Sequence, residues 1–214
     1  MDLSGKTLLV VGASGILGAE FSNQLSARGA NVLGSARTNE SAAKIPDSAS
    51  LKLLLDLEDP NSIRTMIDYL RTVDQLAGVI NAAGVVGFGP AQEVPQDLVT
   101  KMNQINYLGP MRLFSELKEK LAASDESFIV NLTGIVAQTP MPNLAHYSAS
   151  KSAIHGFLLA ATREWRRSGI KVHSSLLGHT ETGLAQRALF GQAPNFPLGL
   201  APSEAVEQIL GEVL

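Results

Sequence analysis

Residues 7–18 constrain the fold more than any other stretch. Thr7 to Gly12 is a run without a charge, Thr-Leu-Leu-Val-Val-Gly, ending in glycine. A continuous run, in place of alternation, fits a parallel strand covered on both faces. It leads straight into Gly12-Ala13-Ser14-Gly15-Ile16-Leu17-Gly18, and a helical pattern continues through Phe21, Leu25 and Arg28 to Gly29. Strand, glycine turn and helix in this order form a βα unit, the context in which such glycines carry meaning. Gly12 permits a sharp turn. Gly15 lets backbone N–H groups approach a pyrophosphate at the helix N-terminus, and Gly18 lets helix and strand pack closely. A plain βα turn with a helix-packing glycine is the alternative reading of the same residues.

The alternation continues along the chain. Further strands are predicted at 30–35, 51–55, 78–80, 128–132 and 170–177. Further helices are predicted at 59–73, at about 95–122, from just before Tyr147 to about Ser168, and from Ser203 to the end. Asp59-Pro60 places an acid and a proline where a helix start favours them. Gly109-Pro110 interrupts the long 95–122 pattern: proline removes a donor and favours a kink that exposes a polar group near Asn106. Gly169 closes the Tyr147 helix, and Ser203 reads as the N-cap of the last one. No repeat or linker appears. The chain therefore reads as one α/β domain over 1–214, a Rossmann-type doubly wound parallel sheet of six strands with helices on both faces. In such a sheet the ligand crevice lies beyond the carboxyl ends of the strands. Loops at about 85–95, 134–146 and 179–200 would wall a substrate there. Phe88, Met141, Phe190 and Phe196 hint at an apolar ligand, or simply cover the core.

Composition removes several classes of function. A net charge of −3 leaves no basic surface for nucleic acid or anionic membrane. The absence of cysteine excludes disulfides, thiolate metal sites and cysteine nucleophiles. The histidines at 146, 155, 173 and 179 lack metal-ligand helical spacing, so no metal is expected and each reads as a surface or loop residue. No apolar run approaches the ~20 residues that span a bilayer, and Met1 to Lys6 carries no signal-peptide pattern. A cytoplasmic protein with a small-molecule partner is expected.

Two positions carry the chemistry. The second strand ends at Ala36-Arg37, with no acid. An acid there would hold the ribose 2′-OH of NAD; a neutral residue followed by arginine favours a 2′-phosphate, hence NADP(H), with NAD(H) as the alternative. Downstream, Tyr147-Ser148-Ala149-Ser150-Lys151 stacks a tyrosine and a lysine on one helix face. A free phenol titrates near ~10. A neighbouring ammonium, helped by the helix dipole, would pull it down towards the range of efficient proton transfer.

Taken in order, these motifs resemble the short-chain dehydrogenase/reductase family over residues 1 to about 185. The glycine loop matches Gly12 to Gly18, the acid after the third strand matches Asp56, and the family's Asn-Asn-Ala-Gly element resembles Asn81-Ala82-Ala83-Gly84. The active-site asparagine matches Asn106, Tyr-x-x-x-Lys matches Tyr147 and Lys151, and the Pro-Gly element with its threonine matches Leu177-Gly178 and Thr182. The resemblance implies hydride transfer between nicotinamide and a small carbonyl/alcohol substrate. In it Tyr147 is the general acid/base, Lys151 lowers its pKa and binds the nicotinamide ribose, and Asn106 holds a water in the proton relay. It implies cofactor contacts from Gly12, Ser14, Gly15, Ile16, Leu17 and Gly18, from Arg37, and from Asp56 (meeting the adenine) and Leu57. Asn81, Ala82, Ala83 and Gly84, together with Tyr147, Lys151, Gly178, Thr180 and Thr182, complete the set.

Three departures qualify the match. The loop glycines fall at its first, fourth and seventh positions, with Ile16 in a usual glycine position; this resembles extended members, whose substrate domain the chain is too short to hold. The family's catalytic serine, thirteen residues before the tyrosine, is Gly134 here. Thr133 is the adjacent hydroxyl, and it substitutes only where the strand has already broken or the following loop has one extra residue, because strand neighbours face opposite ways. Losing a donor to the developing oxyanion costs roughly 10²–10³ in rate by analogy with oxyanion holes. Finally, the chain ends after a helix at Leu214 with no seventh strand, so a homodimer through the helices around 110 and 155, or a monomer, is expected. The leading reading is an NADP(H)-dependent oxidoreductase. The alternative is a catalytically weak or inactive dinucleotide-binding sensor or scaffold of the same fold, and a sugar-nucleotide epimerase ranks last.

Overall fold

The computed structural model describes Met1–Leu214. Strand β1 (Thr7–Val11) is buried at every residue, and its alternating side chains serve two cores. Leu9 and Val11 belong to one, Leu8 and Val10 to the other. This explains the unbroken apolar run: both faces of the strand are covered. Around it, β2 (Asn31–Ala36), β3 (Leu51–Leu54), β4 (Leu76–Asn81), β5 (Ser127–Leu132) and β6 (Ile170–Ser175) form one sheet in the order β3-β2-β1-β4-β5-β6. Every pairing is parallel. Strand order reverses between β1 and β4, so connections leave to opposite sides and open a crevice at those strand ends.

One core is closed by α3 (Pro60–Thr72), α5 (Gly109–Ala122) and α6 (Ala145–Trp165), through Ile63, Ile67, Leu70, Phe114, Leu117 and Leu158 among others. The other is closed by α1 (Ile16–Ala27) and α7 (Pro202–Val213), through Phe21, Leu25, Ile209 and Leu210. Each such side chain contributes about 1.5–3 kcal/mol on leaving water. A third, smaller cluster sits at the strand ends: Val86, Phe88 and Leu144 pack with Tyr147, Leu184 and Phe196. The sheet thus supplies two structural cores, and loops build an apolar chamber above them. No helix is long and apolar enough to cross a membrane.

Local differences from the sequence reading have identifiable causes. The 95–122 helix breaks earlier than its Gly109-Pro110 pair: α4 (Gln96–Asn103) passes into a π-helical turn, Gln104–Leu108, and α5 begins at Gly109 with Pro110 in its first turn. Proline is acceptable there because first-turn N–H groups have no helical acceptor. The last helix starts at Pro202 with Ala201 as the capping residue and no side-chain cap, so Ser203 lies inside the helix. A short helix, α2 (Asn39–Ala42), has no apolar period to announce it and is held by a Thr38–Ser41 capping box. Tyr147 lies in the first turn of α6, as the sequence indicates. His155 corrects the sequence reading: it is 8% exposed in the middle of α6, neither on the surface nor in a loop.

Candidate active site

The crevice at the strand ends is a cavity of ≈ 720 Å³. Its floor is the glycine loop. Gly12 adopts φ +77, and a β-carbon there would lie 2.9 Å from the Ala83 backbone N. At Gly18 a β-carbon would lie 2.2 Å from the Gly12 carbonyl oxygen, so only glycine lets α1 descend onto the loop. Gly15 precedes α1 in an extended conformation, no side chain caps the helix, and its first turn holds no acid. The first N–H groups of α1 are therefore left for an anion. Gly12, Ser14, Gly15, Ile16 and Leu17 all line the cavity, whereas Gly18 stands behind them as a packing residue.

The next strand ends add the remaining walls. Arg37 and Ser41 follow β2, and Asp56 and Leu57 follow β3. Arg37 is exposed and enters no ion pair or side-chain hydrogen bond, an idle guanidinium at one end of the cavity. Asp56 Oδ1 accepts from the Glu58 backbone N–H at 2.9 Å. After β4, Ala82, Ala83 and Gly84 line the cavity but Asn81 does not. Asn81 is 2% exposed; its Oδ1 accepts from the Ala83 N–H at 3.2 Å, and its Nδ2 donates to Asn131 Oδ1 at 2.8 Å. It shapes the turn from behind. At Gly84 two side chains crowd the backbone: a β-carbon would meet Asn106 Oδ1 at 3.3 Å and Lys151 Nζ at 3.4 Å.

On α6, Tyr147, Lys151 and His155 follow at four-residue intervals and share one face. Lys151 is 5% exposed, lies 5.8 Å from the centre of the Tyr147 ring, and donates from Nζ to the Leu132 carbonyl at 2.7 Å. Burial pushes the Lys151 ammonium down to about 8 and pushes the Tyr147 phenol up to about 12. This runs opposite to the sequence expectation of a depressed tyrosine. The apolar chamber desolvates both groups, which penalises phenolate and ammonium alike.

Asn106, 1% exposed, does not line the cavity. Its Oδ1 accepts from the Val85 N–H at 2.9 Å, and its Nδ2 donates to the Val85 carbonyl at 2.9 Å and to Ser150 Oγ at 3.0 Å. Ser150 in turn donates to the Tyr147 carbonyl at 2.8 Å. The Asn106 side chain is thus a brace between the β4 loop and α6. Its backbone carbonyl has lost its α-helical donor, because the residue four positions on is Pro110.

At the end of β5, the serine position is Gly134 at φ +87, ψ 151. The strand has already ended at Leu132, but the Thr133 hydroxyl is engaged elsewhere. Thr133 is fully buried: Oγ1 pairs with Ser174 Oγ at 2.7 Å, accepts from Asn131 Nδ2 at 3.0 Å, and donates to the Asn131 carbonyl at 3.4 Å. The pairing continues from Ser174 to His155 Nδ1 at 2.9 Å and from His155 Nε2 to Gln138 at 3.2 Å. A buried polar chain therefore runs Asn81–Asn131–Thr133–Ser174–His155 and surfaces at Gln138. Its members come from β4, β5, β6 and α6; of them motif reading singles out only Asn81 and Thr133, and nothing in the spacing links either to Asn131, Ser174 or His155.

After β6, Gly178, Thr180 and Thr182 line the cavity. The 179–200 segment folds back over it. The Phe88 N–H donates to the Phe190 carbonyl and the Leu189 N–H to the Val86 carbonyl, both at 2.8 Å. His179 stacks on Phe196 with ring centres 4.8 Å apart, and its Nε2 lies 3.2 Å from Glu181. Glu181 also accepts from the Gly199 N–H at 2.8 Å. His179, Glu181 and Arg187 are cavity residues that motif reading passed over, because nothing in their spacing marks them.

Comparison with known proteins decides the family. The family model for short chain dehydrogenases matches residues 6–191. The chain belongs to the short-chain dehydrogenase family. It is 26% identical to a dehydrogenase/reductase SDR family protein 7-like from Anopheles gambiae, with 97% of this chain and 72% of that protein aligned. It is 27% identical to the 3-oxoacyl-[acyl-carrier-protein] reductase FabG of Escherichia coli (strain K12), covering 93% and 86%. Among solved structures, a short chain dehydrogenase from Burkholderia cenocepacia J2315 in complex with NADP superposes with a TM-score of 0.83 at 26% identity, covering 99% and 85%. A short-chain dehydrogenase from Sphingobium yanoikuyae in complex with NADPH shares the fold with a TM-score of 0.86 at 24% identity, covering 96% and 83%. Family membership places this short-chain dehydrogenase among the oxidoreductases.

Proposed function

We propose that this chain is an NADP(H)-dependent oxidoreductase acting on a small carbonyl/alcohol substrate, with Tyr147 as the proton donor. The observation that carries the reading is the placement of Tyr147 and Lys151 in the same cavity as an uncapped α1 N-terminus and an idle Arg37. The cavity residues fit the cofactor. The cradle at Gly12 and Gly15 admits a pyrophosphate where side chains would block it, the α1 N–H groups complement its charge, and Arg37 suits a 2′-phosphate. Asp56 would meet the adenine, Gly178, Thr180 and Thr182 would flank the nicotinamide end, and Lys151 would hold the ribose. NADPH, when bound, supplies a hydride and leaves as NADP⁺.

The chain's own residues do the rest. A phenol at about 12 stays protonated at neutral pH, so Tyr147 donates its proton to the substrate oxygen as the C=O bond becomes CH–OH. The Leu132 carbonyl fixes the Lys151 ammonium beneath it. The Asn106 carbonyl, freed by Pro110, is the acceptor that would order a water between Lys151 and solvent. Thr133 holds the β5 end in place and lends no hydroxyl to the oxygen. Tyr147→Phe tests this: turnover of NADPH with carbonyl compounds falls at least a thousandfold while NADPH affinity stays within about threefold. Normal turnover in that variant rules the reading out. Leu108 and Leu159, 40% and 52% exposed on neighbouring helices, favour a homodimer, to be checked by sedimentation.

A second reading, a dinucleotide-binding sensor or scaffold, draws on Gly134 and the engaged Thr133 hydroxyl. NADPH binding without turnover of any carbonyl would favour it.

A further inference from the structure

The substrate end of the cavity differs sharply from the cofactor end. Around Tyr147 the walls are Val86, Phe88, Val136, Leu144, Leu184 and Phe196. Every cation of the cavity is either at the cofactor end or already hydrogen-bonded to the chain. Arg37 stands beyond β2 and Lys151 is held by Leu132. Arg187 donates from Nε to the Gly183 carbonyl at 3.0 Å and from Nη2 to the Thr182 carbonyl at 3.1 Å. His179 is engaged with Glu181. A substrate carboxylate or phosphate placed beside Tyr147 would therefore meet an apolar wall, and Lys151 or Arg187 could serve it only by giving up its carbonyl bonds.

A second cavity, ≈ 540 Å³, adjoins the first and shares Phe88, Met141 and Leu144 with it. Beyond those three its apolar lining is Phe190 with Pro90, Pro142 and Pro194, its polar lining is Asn143 and Gln192, and its one charged residue is Glu93, an acid. The Phe88 N–H is tied to Phe190, so the wall between the two spaces is anchored on one side. Met141, on the opposite side, is 42% exposed and flexible. It is the adaptable member of the partition.

We propose that the substrate is an uncharged carbonyl compound with an extended apolar arm, its oxygen at Tyr147 and its arm passing between Phe88 and Met141 into the second cavity. Met141 is then the specificity-determining residue for arm length. This rests on the carbonyl reduction proposed above and names its substrate class.

Two measurements on the intact protein test it. Initial rates of NADPH oxidation with straight-chain aldehydes from butanal to decanal should give kcat/KM rising about fourfold per methylene until the arm fills the second cavity. Aldehydes of equal length ending in a carboxylate should fall at least tenfold below. Met141→Trp should lower the decanal-to-butanal ratio of kcat/KM at least tenfold, a change of ratio that a general loss of stability does not produce. Calorimetric binding of 1-octanol and of octanoate to the NADPH complex reads the same preference without turnover. Preferred carboxylates, an unchanged ratio in Met141→Trp, or octanoate binding as well as octanol overturns the proposal. Octanol binding that Met141→Trp weakens, in a protein that turns over no aldehyde, upholds the apolar-arm site and overturns the reduction alone.

Discussion

The buried Lys151 ammonium makes the stability of the ligand-free protein depend on pH in a direction that can be worked out. Its folded pKa, about 8, lies below the ordinary 10.5. Below pH 8 both folded and unfolded chains carry the proton, and the cost of burying the charge is present in full. Between pH 8 and 10.5 the folded chain releases the proton while the unfolded chain keeps it. The unfolded state then binds more protons, so stability rises with pH. Integrating from pH 7 to pH 10 gives a gain of about 2–3 kcal/mol from this one group. Tyr147 acts in the opposite sense only above its unfolded value near 10, where the folded chain retains a proton that the unfolded chain has lost. Urea unfolding at pH 7, 8, 9 and 10, on the wild type and on Lys151→Met, isolates the effect because other titrations cancel in the difference. The wild type should gain on the variant by about 2–3 kcal/mol across that range. A difference that stays flat would show that Lys151 is not desolvated, and the apolar chamber around Tyr147 would have to be wrong.

Other outcomes follow from the same site. Arg37→Ala should weaken NADPH binding by about ten- to a hundredfold, the worth of charge-assisted hydrogen bonds, and leave NADH within about threefold in a fluorescence titration. Gly18→Ala should abolish the thermal shift produced by saturating NADPH, since its methyl group would lie 2.2 Å from the Gly12 oxygen and the loop must move. His155→Ala should cost about 1–3 kcal/mol in chemical denaturation, because Ser174 and Gln138 both lose a partner. His155→Asn, which can keep the bond to Ser174, should recover much of that loss; equal losses in the two variants would mean that the Ser174 bond carries none of it.

Local chemistry was legible in the sequence and convergence was not. The β1–glycine–α1 unit, the alternation of strands and helices, and the Tyr147–Lys151 stack all depend on residues a few positions apart. Spacing along a strand or helix fixes where such side chains point. The polar chain from Asn81 to Gln138 joins residues separated by tens of positions, and no local pattern marks Asn131 or Ser174 as partners. His155 was misread for that reason: its burial comes from β6 packing against α6. The Tyr147 phenol was misjudged because spacing supplies the neighbouring ammonium but not the Val86, Phe88 and Phe196 cover that desolvates both. The π-helical turn at Gln104–Leu108 likewise needs the fold, since Pro110 announces a disturbance without saying on which side of it the helix will loosen.

Gly134 has a consequence for how this protein can change over time. A β-carbon there would have its nearest neighbours, the Leu177 oxygen and a Val136 methyl group, at 3.9 Å, so space is no obstacle to a serine. The obstacle is φ +87 with ψ 151, a region essentially closed to residues bearing a side chain. A single codon change therefore cannot restore the hydroxyl donor common in the family; the β5 exit must first be rerouted, and Thr133, Ser174 and the Gly134 N–H bond to the Ser175 carbonyl all hold it where it is. The buried polar chain thus limits which substitutions the end of β5 accepts. The loops around the chamber can vary without touching it, but a serine at 134 needs a strand end with those bonds broken.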